Sequence, residues 1–160
     1  MINNILASSV SIMPKWFIKL FSKSYIAGHE PKEVINIVKN LNTQGFSATI
    51  DILGENTKYQ ERANSVTNEY TQLYSDIAEN SVDSNISVKP THIGLDISMD
   101  LALKNFKKII IKASKSSNFL RIDMESSKNT DNTFKIYDDL FKIYPKVGVV
   151  LQAYLKRSLA

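Results

Sequence analysis

The feature that most constrains the fold is an alternation of short strand-like segments with longer segments of helical periodicity. Four apolar segments rich in β-branched residues are typical of strands: FSATIDILGE (46–55), NISVKP (85–90), FLRIDME (119–125) and VGVVLQAY (147–154). Apolar residues spaced three and four apart predict helices at 30–45, 59–77, 99–113 and 134–144. Repetition of strand and helix in this order is the pattern of βα units, so the sequence predicts a parallel sheet.

The class of parallel sheet follows from motifs that are missing. No GxGxxG follows any predicted strand and no GxxxxGK[ST] occurs, so a dinucleotide-binding or P-loop fold is disfavoured. The remaining common architecture is the (β/α)8 TIM-type barrel, of which four βα units would form the first half. We therefore expect an α/β chain with N-terminal helices in residues 1–44 and a partial barrel in residues 45–160. In the last predicted helix the recurring apolar positions are Phe134, Tyr137, Phe141 and Tyr144, and the helix is expected to end at Pro145.

Composition excludes several kinds of site. The 160 residues include no cysteine and two histidines, which excludes disulfides and thiolate metal sites and disfavours a histidine-rich metal site. The net charge of +4 is spread along the chain without a dense basic cluster, so no nucleic-acid partner is expected. We interpret His92 as a loop residue near the mouth of the barrel and not as a catalytic base.

One segment near the N-terminus has the pattern of a basic amphipathic helix. In SIMPKWFIKLFSKSY (11–25), aromatic and leucine side chains share one helical face while three lysines lie elsewhere around it. Such a helix can rest on anionic lipid, although packing of its aromatic face on the domain is the more common outcome. No apolar run approaches the roughly 20 residues that span a bilayer. These features predict a cytoplasmic protein with a possible peripheral contact on the inner face of the membrane.

Polar residues recur late in the predicted strands, where barrel enzymes place their active sites. Asp51 lies in the first strand, Lys89 ends the second, Asp123 lies in the third and Gln152 in the fourth. Each of them alone is more simply explained as a solvated strand end or a structural ion pair. Their recurrence on successive strands favours a site that offers a cation, a carboxylate and an amide.

Five blocks carry a family resemblance: FSKSYIAG, ATIDILGE, NISVKPTHIGL, FLRIDMESS and YPKVGVVLQAYLKRS. In this order they resemble the proline dehydrogenases of the monofunctional bacterial type, and they extend from Phe21 to Ser158. The resemblance implies a flavin-dependent (β/α)8 barrel that uses FAD to oxidise L-proline to 1-pyrroline-5-carboxylate. It also implies that electrons pass to a membrane quinone.

The resemblance also implies roles for individual residues. Lys89 corresponds to the lysine that binds the proline carboxylate, and Asp123 to a catalytic aspartate of the active site. Met124, Val150 and Gln152 correspond to residues that contact the flavin. The third block has Ser126 where the family usually has an acidic residue, and we expect this difference to have a small effect.

The length of the chain leaves alternative functions open. The family's barrel needs about twice this length, so we expect a fragment or split product that binds flavin weakly and does not turn over unless a second chain completes the barrel. One alternative is an inactive half-barrel remnant that acts as an interaction module. Another is a phosphate-binding barrel enzyme in which Lys89 would be a phosphate ligand.

Overall fold

The structure, a computed structural model, describes residues 26–28 and 30–159, except for the side chains of Arg157 and Leu159. Its helices are α1 (Pro31–Thr43), α2 (Gln60–Glu79), α3 (Met99–Lys115) and α4 (Thr130–Ile143), with short 3-10 turns at Ser127–Asn129 and Lys156–Leu159. Its strands are β1 (Ala48–Asp51), β2 (Ser84–Val88), β3 (Leu120–Ile122) and β4 (Val147–Val149). The predicted alternation of strands and helices is therefore confirmed in the described residues.

The four strands form one parallel sheet in the order β1-β2-β3-β4. Each neighbouring pair is joined by a single helix, α2, α3 or α4. Because parallel crossovers are right-handed, three successive connections in one direction place their helices on the same face of the sheet. The predicted parallel α/β architecture is confirmed, with four strands seen.

The face of the sheet that meets the helices is the hydrophobic core. Ile86, Val88, Leu120 and Ile122 are fully buried there. They pack with apolar side chains from the helices that were predicted from three- and four-residue spacing, among them Val66, Tyr70, Phe106 and Ile109. Burial of such side chains contributes about 1.5–3 kcal/mol each, which makes this face the main source of stability.

The opposite face of the sheet is polar. The strand register aligns Asp51, Ser87, Arg121 and Gly148 in one row across the four strands. Side chains alternate along a strand, so the residues two positions further on, Lys89, Asp123 and Val150, project on the same side. No described element covers this face, and it therefore carries the candidate site.

One sequence prediction about local structure is wrong. The fourth strand is shorter than its apolar run, because it ends at Val149, three residues before Gln152.

The last predicted helix is confirmed as α4, and the structure shows which of its faces is covered. The fully covered residues of α4 are Thr130, Thr133, Ile136 and Leu140. Phe141 is 48% exposed, and its ring lies beside Tyr137 with the centroids 5.7 Å apart. Tyr137 and Tyr144 are partly buried against the core.

Other predictions fall on residues that the structure does not describe. The basic amphipathic segment 11–25 and most of the predicted N-terminal helical region lie outside the described residues. Within the described part of the chain, no helix is both long and apolar enough to cross a membrane. Helix α1, the described part of that region, contributes Ile35 and Val38 to the same core as the sheet.

Candidate active site

Lys89 lies where β2 ends. Pro90 follows it and has no N–H to donate to a neighbouring strand, so the ladder stops there. The chain then turns sharply, because the N–H of His92 donates to the carbonyl of Lys89 at 3.0 Å and that of Leu95 to Pro90 at 3.0 Å. Residues 90–95 are all buried. A partly exposed ammonium therefore stands at the start of a packed loop, which limits how far its backbone can move.

The Lys89 ammonium lies between two carboxylates from the neighbouring strands. It forms an ion pair with Asp51 at the end of β1, and its Nζ is 3.5 Å from Oδ2 of Asp123, just after β3. The three side chains are 24–28% exposed. Ser87 donates its hydroxyl to the other oxygen of Asp123. The structure thus brings together Asp51, Lys89 and Asp123, three of the four strand-end residues that the sequence singled out, and adds Ser87 to them.

The protonation state of Lys89 is set by these neighbours. Burial lowers the pKa of Lys89, but the hydrogen bond and charge of Asp51, with a further contribution from Asp123, outweigh it and raise that pKa above its ordinary value. Lys89 is therefore a charged ammonium throughout the neutral pH range. It can bind an anion or orient a carboxylate, and it cannot act as a neutral base.

Tyr70 contacts the ion-paired cluster of Lys89, Asp51 and Asp123 through its hydroxyl. The sequence analysis had placed Tyr70 only in the core. Its side chain is fully buried on α2, and its hydroxyl lies 3.3 Å from Oδ1 of Asp51 and 3.4 Å from the carbonyl of Ile52. Burial, followed by the charge of Asp51, raises the pKa of Tyr70, so the phenol stays protonated and can donate. The only sequence signal was that a buried tyrosine needs a hydrogen-bond partner.

Removal of the Tyr70 hydroxyl gives a testable consequence. Tyr70→Phe is expected to lower the free energy of unfolding by about 1 kcal/mol, since it deletes one buried hydrogen bond. Tyr74→Phe is the matched comparison, because the Tyr74 hydroxyl donates to the carbonyl of Phe119 at 2.9 Å, away from Asp51. Denaturant unfolding followed by circular dichroism measures both variants. An unchanged unfolding free energy for Tyr70→Phe would show that its contact with Asp51 contributes nothing.

His92 lies in the loop after β2, in agreement with its interpretation as a loop residue. It is 3% exposed, and its ring meets Tyr70 edge to face with the centroids 6.1 Å apart. Burial lowers the pKa of His92, with a further contribution from the positive charge of Arg62. The imidazole is therefore neutral at pH 7 and packs as part of the wall behind Asp51.

The residues predicted to contact a cofactor lie at the same end of the sheet. Val150 continues the ladder beyond β4, with its N–H donating to the carbonyl of Ile122 at 3.0 Å, and it is half-buried beside Asp123. Met124 follows Asp123 and is also half-buried. Gln152 lies in a turn beyond β4, where its Oε1 is 3.4 Å from the Tyr154 hydroxyl. Among the described residues, hydrogen bonds and ion pairs link Lys89 to Asp123 but do not link Gln152 to this cluster.

Known proteins are similar in sequence to this chain over most of its length. The family model for proline dehydrogenase matches residues 34–160. Proline dehydrogenase 2 of Bacillus subtilis (strain 168) is 38% identical over 143 residues, which cover 89% of this chain and 47% of that protein. Proline dehydrogenase 1 of the same strain is 36% identical over 140 residues, with coverages of 88% and 46%. The chain thus spans about half the length of the curated relatives that it matches.

The fold is likewise shared with solved structures. Proline utilization A from Bdellovibrio bacteriovorus, inactivated by N-propargylglycine, superposes with a TM-score of 0.74 at 23% identity, covering 83% of this chain and 17% of that one. Proline utilization A from Corynebacterium freiburgense gives a TM-score of 0.65 at 23% identity, with coverages of 78% and 14%. Likeness at this identity concerns the fold, whereas the family model and the Bacillus relatives concern the sequence itself. On that sequence evidence the chain belongs to the proline dehydrogenase family.

Proposed function

We propose that this chain is the part of a proline dehydrogenase that binds L-proline and oxidises it to 1-pyrroline-5-carboxylate with FAD, passing the electrons to a membrane quinone. The observation that carries the proposal is the Lys89 ammonium held between Asp51 and Asp123 on the uncovered face of the sheet. Family membership supports the reaction, and the position of the cluster at the carboxyl ends of parallel strands supports an active site.

The charges of the cluster suit a zwitterionic amino acid. Lys89 contributes one positive charge, and Asp51 and Asp123 contribute two negative charges. In this proposal Lys89 binds the proline carboxylate, because an ammonium and a carboxylate form a strong charge-assisted hydrogen bond. Asp123, the proposed catalytic aspartate, lies on the other side of the lysine. Its negative charge would favour the positive charge that forms on the ring nitrogen when the amine, after releasing one N–H proton to solvent, loses a hydride from the adjacent ring carbon.

The residues at this end of the sheet fit a flavin. Val150 presents an apolar side chain next to Asp123, Met124 is an adaptable apolar neighbour, and Gln152 has an amide that can pair with a heterocycle edge. No described element occupies the space over this face, which leaves room for a planar ring. We propose that Met124, Val150 and Gln152 hold the flavin. When bound, the flavin supplies the hydride acceptor, which no side chain of this site can be.

We further propose that the sheet is the first half of a (β/α)8 barrel, with residues 45–160 as its barrel part and residues 1–44 as N-terminal helices. The shared fold and the length of the Bacillus relatives support this. The other strands would come from further residues of the same polypeptide or from a second chain that completes the barrel. A quinone acceptor implies a cytoplasmic protein with peripheral contact at the inner face of the membrane.

Bleaching of bound flavin by proline tests this function. The purified protein is mixed with FAD under anaerobic conditions, both alone and after co-expression with the polypeptide matching the other half of a Bacillus relative. We expect L-proline to bleach the yellow absorbance in at least one preparation, and a soluble quinone analogue to restore it. Bound flavin that proline does not reduce, or no bound flavin in either preparation, would overturn the enzyme assignment and favour an interaction module.

A further inference from the structure

Thr91, two residues after Lys89, is held by a single carboxylate. It is 1% exposed, its backbone N–H donates to Oε2 of Glu125 at 2.8 Å, and its hydroxyl donates to Oε1 of Glu125 at 2.5 Å. Both oxygens of Glu125 therefore accept from one residue, an arrangement that suits an ionised carboxylate. The contact joins the loop after β3 to the loop after β2.

Thr91 also connects the loop after β1. The backbone N–H of Asn56 donates to the Thr91 hydroxyl oxygen at 2.9 Å, and that of Thr57 donates to the Thr91 carbonyl at 3.1 Å. Asn56 has a φ of 53°, in the left-handed region that asparagine adopts more readily than most residues other than glycine. Thr91 thus uses its N–H, its hydroxyl and its carbonyl to link three loops.

The hydrogen bonds of Thr91 connect the loops in the same order as the ion pairs of Lys89 connect the strands. In the cluster, Lys89 from β2 lies between Asp51 from β1 and Asp123 from β3. In the loops, Thr91 lies between the loop after β1 and Glu125 after β3. The turn closed by the carbonyl of Lys89 and the N–H of His92 joins the two layers. Thr91 therefore lies inside the turn that begins at the backbone of Lys89.

We propose that Glu125 is a positioning residue that acts through Thr91 to hold the Lys89 backbone in place for binding a substrate carboxylate. This inference rests on the proposed function for its substrate, while the linkage of the three loops stands on contacts within the chain. Glu125 has no direct role in the reaction. Its effect reaches the substrate through the position of Lys89.

The pKa of Glu125 bears on whether the fold tolerates the loss of its charge. Burial raises the pKa of Glu125, the two hydrogen bonds from Thr91 lower it, and the charges of Glu55 and Asp96 raise it, with a net upward shift. A carboxyl whose pKa is higher in the folded state than in the unfolded state stabilises the fold at low pH. That contribution is lost as pH rises through the folded-state pKa. Burial and the neighbouring negative charges thus outweigh the two hydrogen bonds from Thr91, so removing the charge of Glu125 is not expected to unfold the protein.

The decisive variant is Glu125→Gln. The glutamine carbonyl can still accept from the Thr91 N–H, but its NH2 group cannot accept from the Thr91 hydroxyl. We expect amide hydrogen exchange at Asn56, Thr57 and Thr91 to accelerate by about tenfold, the scale of one charged hydrogen bond. In the flavin-loaded protein we expect the KM for L-proline to rise by about tenfold with a smaller change in kcat.

Two further variants and one control complete the test. Thr91→Val removes the hydroxyl and should behave like Glu125→Gln, whereas Thr91→Ser keeps it and should restore exchange and KM to within about twofold of the parent. Glu79→Gln is the control, because Glu79 is an exposed glutamate at the end of α2, before β2 begins and away from the three loops. Unchanged exchange at Thr91 in Glu125→Gln, or equal defects in Thr91→Ser and Thr91→Val, would overturn the inference.

These experiments distinguish a failure of the Glu125 inference from a failure of the proposed function. If the parent protein shows no bleaching by proline, the proposed function fails, while the exchange rates still decide whether Glu125 holds the three loops. If proline bleaches the flavin and Glu125→Gln leaves KM unchanged, the proposed function survives and the positioning role is refuted.

Discussion

Lys89→Met is expected to reduce the rate at which L-proline bleaches the bound flavin by about 100-fold, because the substrate carboxylate loses its charged hydrogen bond. The variant also leaves Asp51 and Asp123 without the ammonium between them, so the pocket repels an anionic group. Methionine keeps most of the apolar stem of lysine, and the comparison therefore isolates the charge. Stopped-flow absorbance with increasing L-proline measures the effect.

Lys146→Met is the matched control for Lys89→Met. Lys146 is exposed just before β4, at the other end of the sheet, and its Nζ donates to the carbonyl of Ser117 at 3.0 Å. The same chemical change there should leave the bleaching rate within about twofold, as expected for an exposed residue away from the site. Equal rates for the two variants would remove Lys89 from substrate binding.

Gly54→Ala is expected to lower the free energy of unfolding by about 4 kcal/mol, because it adds backbone strain and a steric overlap at the same position. Gly54 has a φ of 151°, a conformation essentially limited to glycine. A Cβ at this position would also overlap the His92 ring, with Cε1 only 2.6 Å away. The ring has no free space, because it is buried against Tyr70. The loss is a large part of the stability of a typical domain.

Gly45→Ala separates the two causes. Gly45 also has a positive φ, 85°, but a Cβ there would meet nothing within 4 Å. Only the cost of a positive φ for a residue with a Cβ applies, so the expected loss of unfolding free energy is about 1–2 kcal/mol. Denaturant unfolding of both variants measures the difference. Losses of equal size would show that the contact between Gly54 and His92 does not constrain the loop after β1.

Periodicity alone predicted most of the fold. In α2 the residues expected on one face from their spacing were Tyr59, Ala63, Val66, Tyr70, Leu73 and Ile77. All but the first are buried, whereas Tyr59 caps the helix and is 73% exposed. The spacing also predicted α4, but it did not show which of its faces is buried. The space against the sheet is filled by Ile136 and Leu140, while Phe141 lies half-exposed at the side. Spacing gives the period of a helix, but the neighbouring elements decide which face is covered.

The candidate site was predicted in part. Lys89 and Asp123 were found because charged residues at the ends of apolar strands are conspicuous, and the parallel register brings their side chains within 3.5 Å. Tyr70 was hidden in the apolar stripe of α2, and Thr91 had the appearance of an ordinary loop residue. Their roles depend on hydrogen bonds to residues 19 and 34 positions away, which no local pattern reveals.

The sequence by itself determined the order of strands and helices, the polar ends of the strands and the resemblance to proline dehydrogenases. These properties follow from local periodicity and from short blocks of residues, which can be read without knowing the distances between them. Only the tertiary structure decided that Lys89 lies between two carboxylates and that Glu125 holds Thr91 and through it three loops. The physical reason is that hydrogen bonds and ion pairs act over a few ångströms, and those distances exist only once the parallel register has been formed.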